Sequence, residues 1–387
     1  MVVSWNIHNE TFFKVPWVNV LKLKASYGAN GNSRLGSREA LGLYAYGESY
    51  GYNGEVGGAQ SGSPNRTLSW ETTYMTNLGL RLAVLDSRID LEVEYYHNKT
   101  KNLLSNLPVS RTTGDTRVYR NVGELLNKGF EVTLTTKNVV AKKQGGFEWT
   151  TDLNMAHNSN KITKLYNGIQ VNFGTTSYME GYDTGTYFLV RWAGVDPYDG
   201  MPMWYDKNGN LTKTYSTDDR VPYKNGHSFV TGGLTNTFSY KGLSLRFLLN
   251  YQIGGYAFTS FGRAISSDGL HIMDENQSVD QLNRWQKPGD IALNPKPIWG
   301  VSTQSVMNST RFLYNKTLVR LQNLVLSYRI PTVLVHGWGL SDCTVSLIGD
   351  NLLAYSPYSG KDRNSYKTTM SGYPLERSLA IALNVGF

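Results

Sequence analysis

Along most of the chain, apolar and polar residues alternate with a period of two. That spacing belongs to β-strands whose two faces meet different surroundings. In RIDLEVEYYH, Ile89, Leu91, Val93 and Tyr95 fall on one face, while Asp90, Glu92 and Glu94 fall on the other. In WVNVLKLKASY, Leu21, Leu23, Ala25 and Tyr27 oppose Lys22, Lys24 and Ser26. FEWTTDLNMAH sets Phe147, Trp149, Leu153 and Met155 against Glu148, Asp152 and Asn154. LSLRFLLNY sets Leu243, Leu245, Phe247, Leu249 and Tyr251 against Ser244, Arg246 and Asn250. Read this way, the pattern predicts strands near 17–28, 70–85, 88–98, 117–136, 147–158, 229–240, 243–251, 318–329, 342–350 and 378–387.

The connections carry more information than the strands. Those at 86–87, 137–146, 241–242 and 330–341 are short; those at 29–69, 99–116, 159–228, 252–317 and 351–377 are long and rich in Gly, Asn, Ser, Tyr and Asp. Short and long alternate strictly. A soluble sandwich or propeller has no reason to gather its long loops at one end, and loops of this length are uncommon in compact domains. Transmembrane barrels do so, with tight periplasmic turns and long extracellular loops. Three carboxylates on one face of 88–97 then require that face to line water. The last strand follows a long connection, so it is expected to run inward and leave the C-terminus in the periplasm. In RSLAIALNVGF, Leu379, Ile381, Leu383, Val385 and Phe387 form one apolar face and the chain stops on an aromatic, an ending similar to the C-terminal signal read by outer-membrane insertion machinery.

Composition agrees with this picture. Only 18% of the 387 residues are charged and 12% are aromatic, with 26 Tyr, 9 Trp and 39 Gly, against about 25% charged in average globular chains. Mean hydropathy is −0.37, and no run approaches the ~20 apolar residues of a spanning helix. A helical membrane protein is excluded; a barrel is not, because its strands look hydrophilic on average. The net charge of +8 comes from scattered basic residues without a recognition motif, so nucleic acid is not an expected partner. Cys343 stands alone, rules out a disulfide within the chain, and is expected to be buried in a strand. VVSWNIHNE after Met1 lacks the basic and apolar regions of a signal peptide.

Several segments, in order along the chain, resemble the SusC/RagA family of TonB-dependent outer-membrane transporters. LKLKASYGANGN (21–32) is similar to a barrel segment ending in Ser-Tyr-Gly, LSWETTYMTNLGLRL (68–82) to the family's W-E-T-T…N-x-G-L strand, and IDLEVEYYHNKTKNLL (89–104) to the segment that follows it. NVGELLNKGFEVTL (121–134) matches an N-x-G-x-x-x-N-x-G-x-E element; RWQKPGD (284–290), LVRLQNLVLSYRIP (318–331), GDNLLAYSPYSGKD (349–362) and YPLERSLAIALNVGF (373–387) resemble late-barrel elements. The resemblance implies an all-β fold: a transmembrane antiparallel β-barrel of about 22 strands around an N-terminal plug, with long extracellular loops. On this expectation residues 1–387 are the C-terminal half of the barrel, without plug, TonB box or signal peptide. The implied partners are a SusD-like surface lipoprotein, TonB–ExbB–ExbD acting through the N-terminal part, outer-membrane lipid, and oligosaccharide or peptide cargo. The alternative is a surface or secreted glycan-binding β-protein without transport activity.

Chemistry is sparse. The six His residues (His8, His97, His157, His227, His271, His336) are dispersed, and no HExxH, GxSxG or Walker A pattern occurs. No catalytic residue, metal site or cofactor is expected. DPYDG (196–200) and DKNGN (206–210) fit turn chemistry better than a calcium loop. Asp218 and Asp219 are adjacent rather than facing. Asn65, Asn98, Asn210, Asn308 and Asn315 head N-x-S/T triplets that read as chance. The remaining signal is aromatic: Tyr44, Tyr46, Tyr50, Tyr52, Trp204 and Tyr205 lie in long connections as candidate ligand contacts, with further pairs at Tyr355/Tyr358 and Tyr366/Tyr373. Such rings stack on sugars, and they equally form the interfacial girdle of any barrel.

Overall fold

The computed structural model describes residues 1–32, 40–110, 112, 117–121, 123–165, 168, 170–337, 339–357 and 375–387. Eleven strands make one antiparallel sheet in chain order: β1 (Val2–Asn6), β2 (Val18–Asn32), β3 (Glu71–Val84), β4 (Ile89–Lys101), β5 (Gly123–Val139), β6 (Glu148–Leu165), β7 (Val230–Tyr240), β8 (Leu243–Ile253), β9 (Leu318–Arg329), β10 (Asp342–Tyr355) and β11 (Ser378–Gly386). Apart from the five-residue β1, they run from 9 to 18 residues. Ordinary strands have about 5–6 residues, and a strand crossing a bilayer needs about 9–11. No helix of the described residues is long and apolar enough to cross a membrane, which leaves crossing by strands untouched.

Ten of these strands follow the alternation read from the sequence. Two details differ. The sheet gains β1, whose short VVSWN run pairs with β2 from Val2↔Ser26 to Asn6↔Lys22. The strand expected over 117–136 is two: Arg117–Asn121 pairs with Leu104–Pro108 in a separate hairpin, and β5 starts at Gly123. The connections at 7–17, 85–88, 140–147, 241–242 and 330–341 are short, and those at 33–70, 102–122, 166–229, 254–317 and 356–377 are long. Within each of the chain's two compact units, the antiparallel order places short connections at one end of the strands and long ones at the other.

Two compact units divide the chain. The first holds Met1–Val132, His157–Asn172 and Tyr178–Thr184; the second holds Thr133–Ala156, Phe173–Ser177 and Gly185–Phe387. In the first unit, register joins Trp5, Leu23, Leu80 and Val93 into one apolar row and Ser4, Lys24, Gly79 and Glu94 into the adjacent polar row. In the second, Trp149, Phe238, Leu245, Leu326, Leu347 and Ile381 line up across six strands. Ser239, Ser244, Ser327 and Ser346 share the opposite face one position away. The apolar face is uncovered: Leu78 is 51% exposed, Leu347 49% and Ile381 80%. Leaving a Leu or Ile side chain in water forfeits about 1.5–3 kcal/mol relative to burial, so rows of them demand a hydrocarbon surrounding. The backbone meets the same condition, because lipid leaves no alternative partner for an unpaired strand.

Candidate functional site

The polar face of the first unit is a lattice of opposite charges. Lys24 reaches across β3 to Glu92 and lies 3.8 Å from Glu94. Gly79 stands between them in register, and its missing side chain opens that path. Arg81 grips Asp90 through two bonds of 2.8 and 3.2 Å, and Lys99 meets Glu124 at 2.7 Å. The carboxylates of 88–97 are thus matched by cations of neighbouring strands, as a water-lined face requires. Glu71 at the start of β3 accepts from Asn32 Nδ2 at 2.9 Å and from the backbone N–H of Leu104 at 2.8 Å, tying strand ends to the connections above them.

In those connections, Leu43–Tyr52 pairs with Glu55–Gly62 as a free-standing hairpin. Tyr44 and Tyr46 share one face, opposite Gln60 and Gly58, and are 63% and 77% exposed; Tyr50 and Tyr52 are exposed as well. Two asparagines clasp the surrounding chain. Asn65 donates to Tyr119 O at 2.7 Å while accepting from the backbone N–H and hydroxyl of Thr67. Asn121 donates to Ser69 O and Asn102 O and accepts from Ser69 N–H. Between them lies a polar cleft of about 470 Å³ lined by Asn65, Thr67, Ser69, Arg120 and Asn121, among others. Asn65, which heads a chance-like triplet in the sequence, is a structural tie.

The second unit builds its connections around a core. Thr186–Val195 pairs with Pro202–Tyr205 and Arg220–Asn225. Trp204 has no exposed surface and packs edge-on against Trp192 and Tyr215, at 5.7 and 5.8 Å between ring centroids. This corrects the expectation of a ligand contact at Trp204: the ring is filled space inside the small sheet. Tyr205 is half-buried, with the Arg191 guanidinium 5.5 Å from its ring. The two turn motifs are what the sequence suggested. Asp196 and Asp199 accept from the backbone N–H of Tyr198 and Met201, and Lys213 sits between the two carboxylates. Lys213, first, and these amides, second, hold both acids below the ordinary carboxylate range. Asp206 closes DKNGN by accepting from Asn208 and Asn210.

Sequence reasoning missed the deepest feature of this unit. Asp268 is fully enclosed and Arg311 nearly so. Arg311 Nη1 donates to Asp268 Oδ2 at 2.5 Å, and Nη2 donates to Asp268 Oδ1 at 2.8 Å and Asn294 Oδ1 at 2.9 Å. Ser305 adds a hydroxyl to Asp268 Oδ2, and the guanidinium lies over the rings of Trp192 and Phe312. Trp285 of RWQKPGD lies over Gly200 of DPYDG and donates from Nε1 to Pro197 O at 2.9 Å. Both motifs are visible in the sequence; their meeting is not. Among the described residues no group of three or more His, Cys, Asp or Glu is placed to hold a metal. Cys343 is buried in β10, as expected. Leu379, Ile381, Leu383 and Phe387 are exposed along the β11 edge, and Val385 is partly covered. Tyr358, Tyr366 and Tyr373 lie outside the described residues.

Long antiparallel strands whose cross-strand rows are apolar on one face and polar on the other are the architecture of an outer-membrane β-barrel wall. Residues 13–176 match the family model described as TonB dependent receptor-like, beta-barrel. TonB-dependent receptor P3 of Formosa agariphila is 27% identical over the whole chain, which covers 41% of that protein. TonB-dependent receptor SusC of Bacteroides thetaiotaomicron is 27% identical over 85% of the chain, covering 33% of SusC. The structure of the RagAB peptide transporter superposes with a TM-score of 0.84 at 26% identity, over 100% of this chain and 43% of that one. Residues 13–176 thus carry a TonB-dependent receptor-like β-barrel match, and the likeness to SusC and to the RagAB transporter is consistent with a fragment of SusC/RagA type. It spans about two fifths of the length of P3 and of the RagAB chain. The matched family implies an outer-membrane setting, and by its name it is a family of receptors.

Proposed function

We propose that this chain forms the C-terminal portion of the barrel wall of an energy-coupled outer-membrane importer of oligosaccharides or peptides. The observation that carries the reading is the two-faced wall. Rows such as Trp149–Phe238–Leu245–Leu326–Leu347–Ile381 turn toward lipid, and the Lys24–Glu92 and Arg81–Asp90 pairs turn toward water. A secreted glycan-binding protein would need the first face wetted. In this reading the long connections face the cell exterior, where a SusD-like lipoprotein delivers cargo, and the C-terminus lies in the periplasm. Plug and TonB-contacting segment belong to the rest of the receptor, through which TonB–ExbB–ExbD transmits the proton gradient. The aromatic face of Tyr44 and Tyr46 is the candidate first contact for cargo, and the Leu379–Phe387 strand is the candidate insertion signal.

Uptake of labelled oligosaccharide and peptide libraries by cells carrying the complete receptor tests this. Uptake should stop when the receptor gene is deleted, when TonB is removed, or when the proton gradient is collapsed. Uptake unaffected by TonB and by uncoupler would overturn the proposal. Replacing Phe387 with Ser should reduce outer-membrane assembly of the receptor; unchanged assembly would remove the insertion role of this strand.

A further inference from the structure

On the polar face of the second unit Arg329 meets Asp342 at 2.6 Å, as the cations of the first unit meet their acids, but two further arginines are placed differently. Arg320 on β9 lies in register between Asn250 on β8 and Ala354 on β10, with no acid opposite it on either side. Its Nε is enclosed and has no hydrogen-bond partner among the described residues. Arg246 on β8 lies between Thr237 and Val325, and among the described residues its guanidinium makes only a long 3.4 Å contact with Asn323 Oδ1. Three carboxylates of this face have partners of their own, Asp342 being the one that Arg329 holds. Asp350 accepts from Asn323 Nδ2 and Ser378 Oγ at 2.8 and 3.0 Å, and Asp152 accepts from the Thr135 hydroxyl at 2.7 Å. Two residues before β9, Lys316 is partly buried, and burial holds its pKa below the ordinary value.

A partly desolvated guanidinium without an anion is costly, and a charge-assisted bidentate bond to a carboxylate is its strongest available partner. Arg246 and Arg320 point to the same side of the sheet four positions apart along β8, about 13 Å at the usual rise per residue. That spacing suits charges carried on an extended chain. Arg246 is exposed and Arg320 partly so, beside the neutral Thr237, Asn250 and Ala354. We propose that Arg320, with Arg246, forms a carboxylate-binding strip on the water-facing side of the wall, which selects cargo bearing carboxylates. This rests on the wall being that of an importer. An acidic peptide and a uronic-acid oligosaccharide both present this group.

The test is equilibrium binding to the complete receptor in detergent, which does not depend on uptake. The probes are tetraglutamate and tetragalacturonate, with tetraglutamine and maltotetraose as neutral counterparts. At least one acidic probe should bind the parent protein. R320Q should weaken that binding by about tenfold, R246Q by less, and R320K should recover part of the loss while neutral probes stay unchanged. The acidic probe that binds identifies the source of the carboxylate. Failure of both acidic probes to bind, equal binding by R320Q, or equal loss for neutral probes would overturn the strip. Should R320Q not assemble, R320K alone decides: the strip predicts a loss for acidic probes only. TonB-independent uptake alongside charge-selective binding would sink the importer reading and leave the strip standing.

Discussion

The long connections of the first unit are held by neutral amides, those of the second by a buried ion pair among stacked rings. Asn65 and Asn121 clasp 40–70 to 102–121 through backbone hydrogen bonds at the surface, and the tyrosines of the hairpin stay exposed. In the second unit Arg311 and Asp268 are out of water, Trp204 is enclosed, and Trp285 caps a glycine turn. A net hydrogen bond contributes about 0.5–1.5 kcal/mol, whereas stripping one partner from a buried ion pair costs about 3–5 kcal/mol. The first arrangement can open and re-form locally; the second comes apart only as a block. Adaptable aromatic surface and fixed rim are therefore divided between different connections of one wall.

The comparison breaks most sharply at the buried pair. Arg311→Met takes the guanidinium from the enclosed Asp268 and leaves its carboxyl, among the described residues, the Ser305 hydroxyl. We expect about 3–5 kcal/mol of lost local stability, read as amide exchange spreading through 254–317 while β8 and β9 stay protected. The double replacement R311M/D268L should recover much of that loss. Unchanged exchange in R311M would mean that the aromatic packing alone fixes this connection.

Gly200 comes next. Its φ of +75° suits glycine, and an added Cβ would lie 2.5 Å from the Trp285 ring. The left-handed backbone alone costs a non-glycine residue about 1–2 kcal/mol, and the ring must also move. Gly200→Ala is expected to free Trp285, raise its solvent accessibility to fluorescence quenchers, and loosen 284–296. The same substitution in W285F should have a smaller effect, because less of the ring overlaps the turn. Equal effects in both backgrounds would assign the cost to backbone strain only.

These residues show where the sequence was legible. The wall was, because period-two alternation is imposed by its two surroundings on every strand at once, and strand after strand repeats it. β1 was missed because five residues carry too little alternation to stand out. The strand over 117–136 was read through because Asn121-Val122-Gly123 does not interrupt the pattern, although the hairpin ends there. The connections were legible only as turns. Asp268 and Arg311 are 43 positions apart, and single charges in a Gly- and Ser-rich stretch look solvated until packing brings them together. Trp204 shows the same blindness from the other side: an aromatic in a long connection reads alike as ligand contact and as core, and only its enclosure by Trp192 and Tyr215 decides.

Asn121→Ala sharpens the contrast from the side of the first unit. It removes three hydrogen bonds, at 2.7, 2.9 and 2.9 Å, from a partly exposed position where water can replace them. About 1–2 kcal/mol of local stability is expected to go, seen as faster protease nicking within 40–70 and 102–121, with no change in 254–317. Nicking that spreads to the wall strands would show that the clasp supports more than its own connections.

The smallest effect belongs to Lys213 and its two acids. Their folded pKa values are depressed, so the stability they contribute is present above the ordinary carboxylate value of 3.8 and is lost as pH falls below it through the lowered values. All three groups face solvent, which screens the pairs and keeps the contribution slight. Between pH 5 and pH 2, amide exchange at 196–201 should rise modestly in the parent protein. Lys213→Met should shift that rise to higher pH, toward the ordinary carboxylate range. If protection at 196–201 falls at the same pH in the parent and in Lys213→Met, the turn amides of Tyr198 and Met201, rather than the lysine, set the acidity of these two carboxylates.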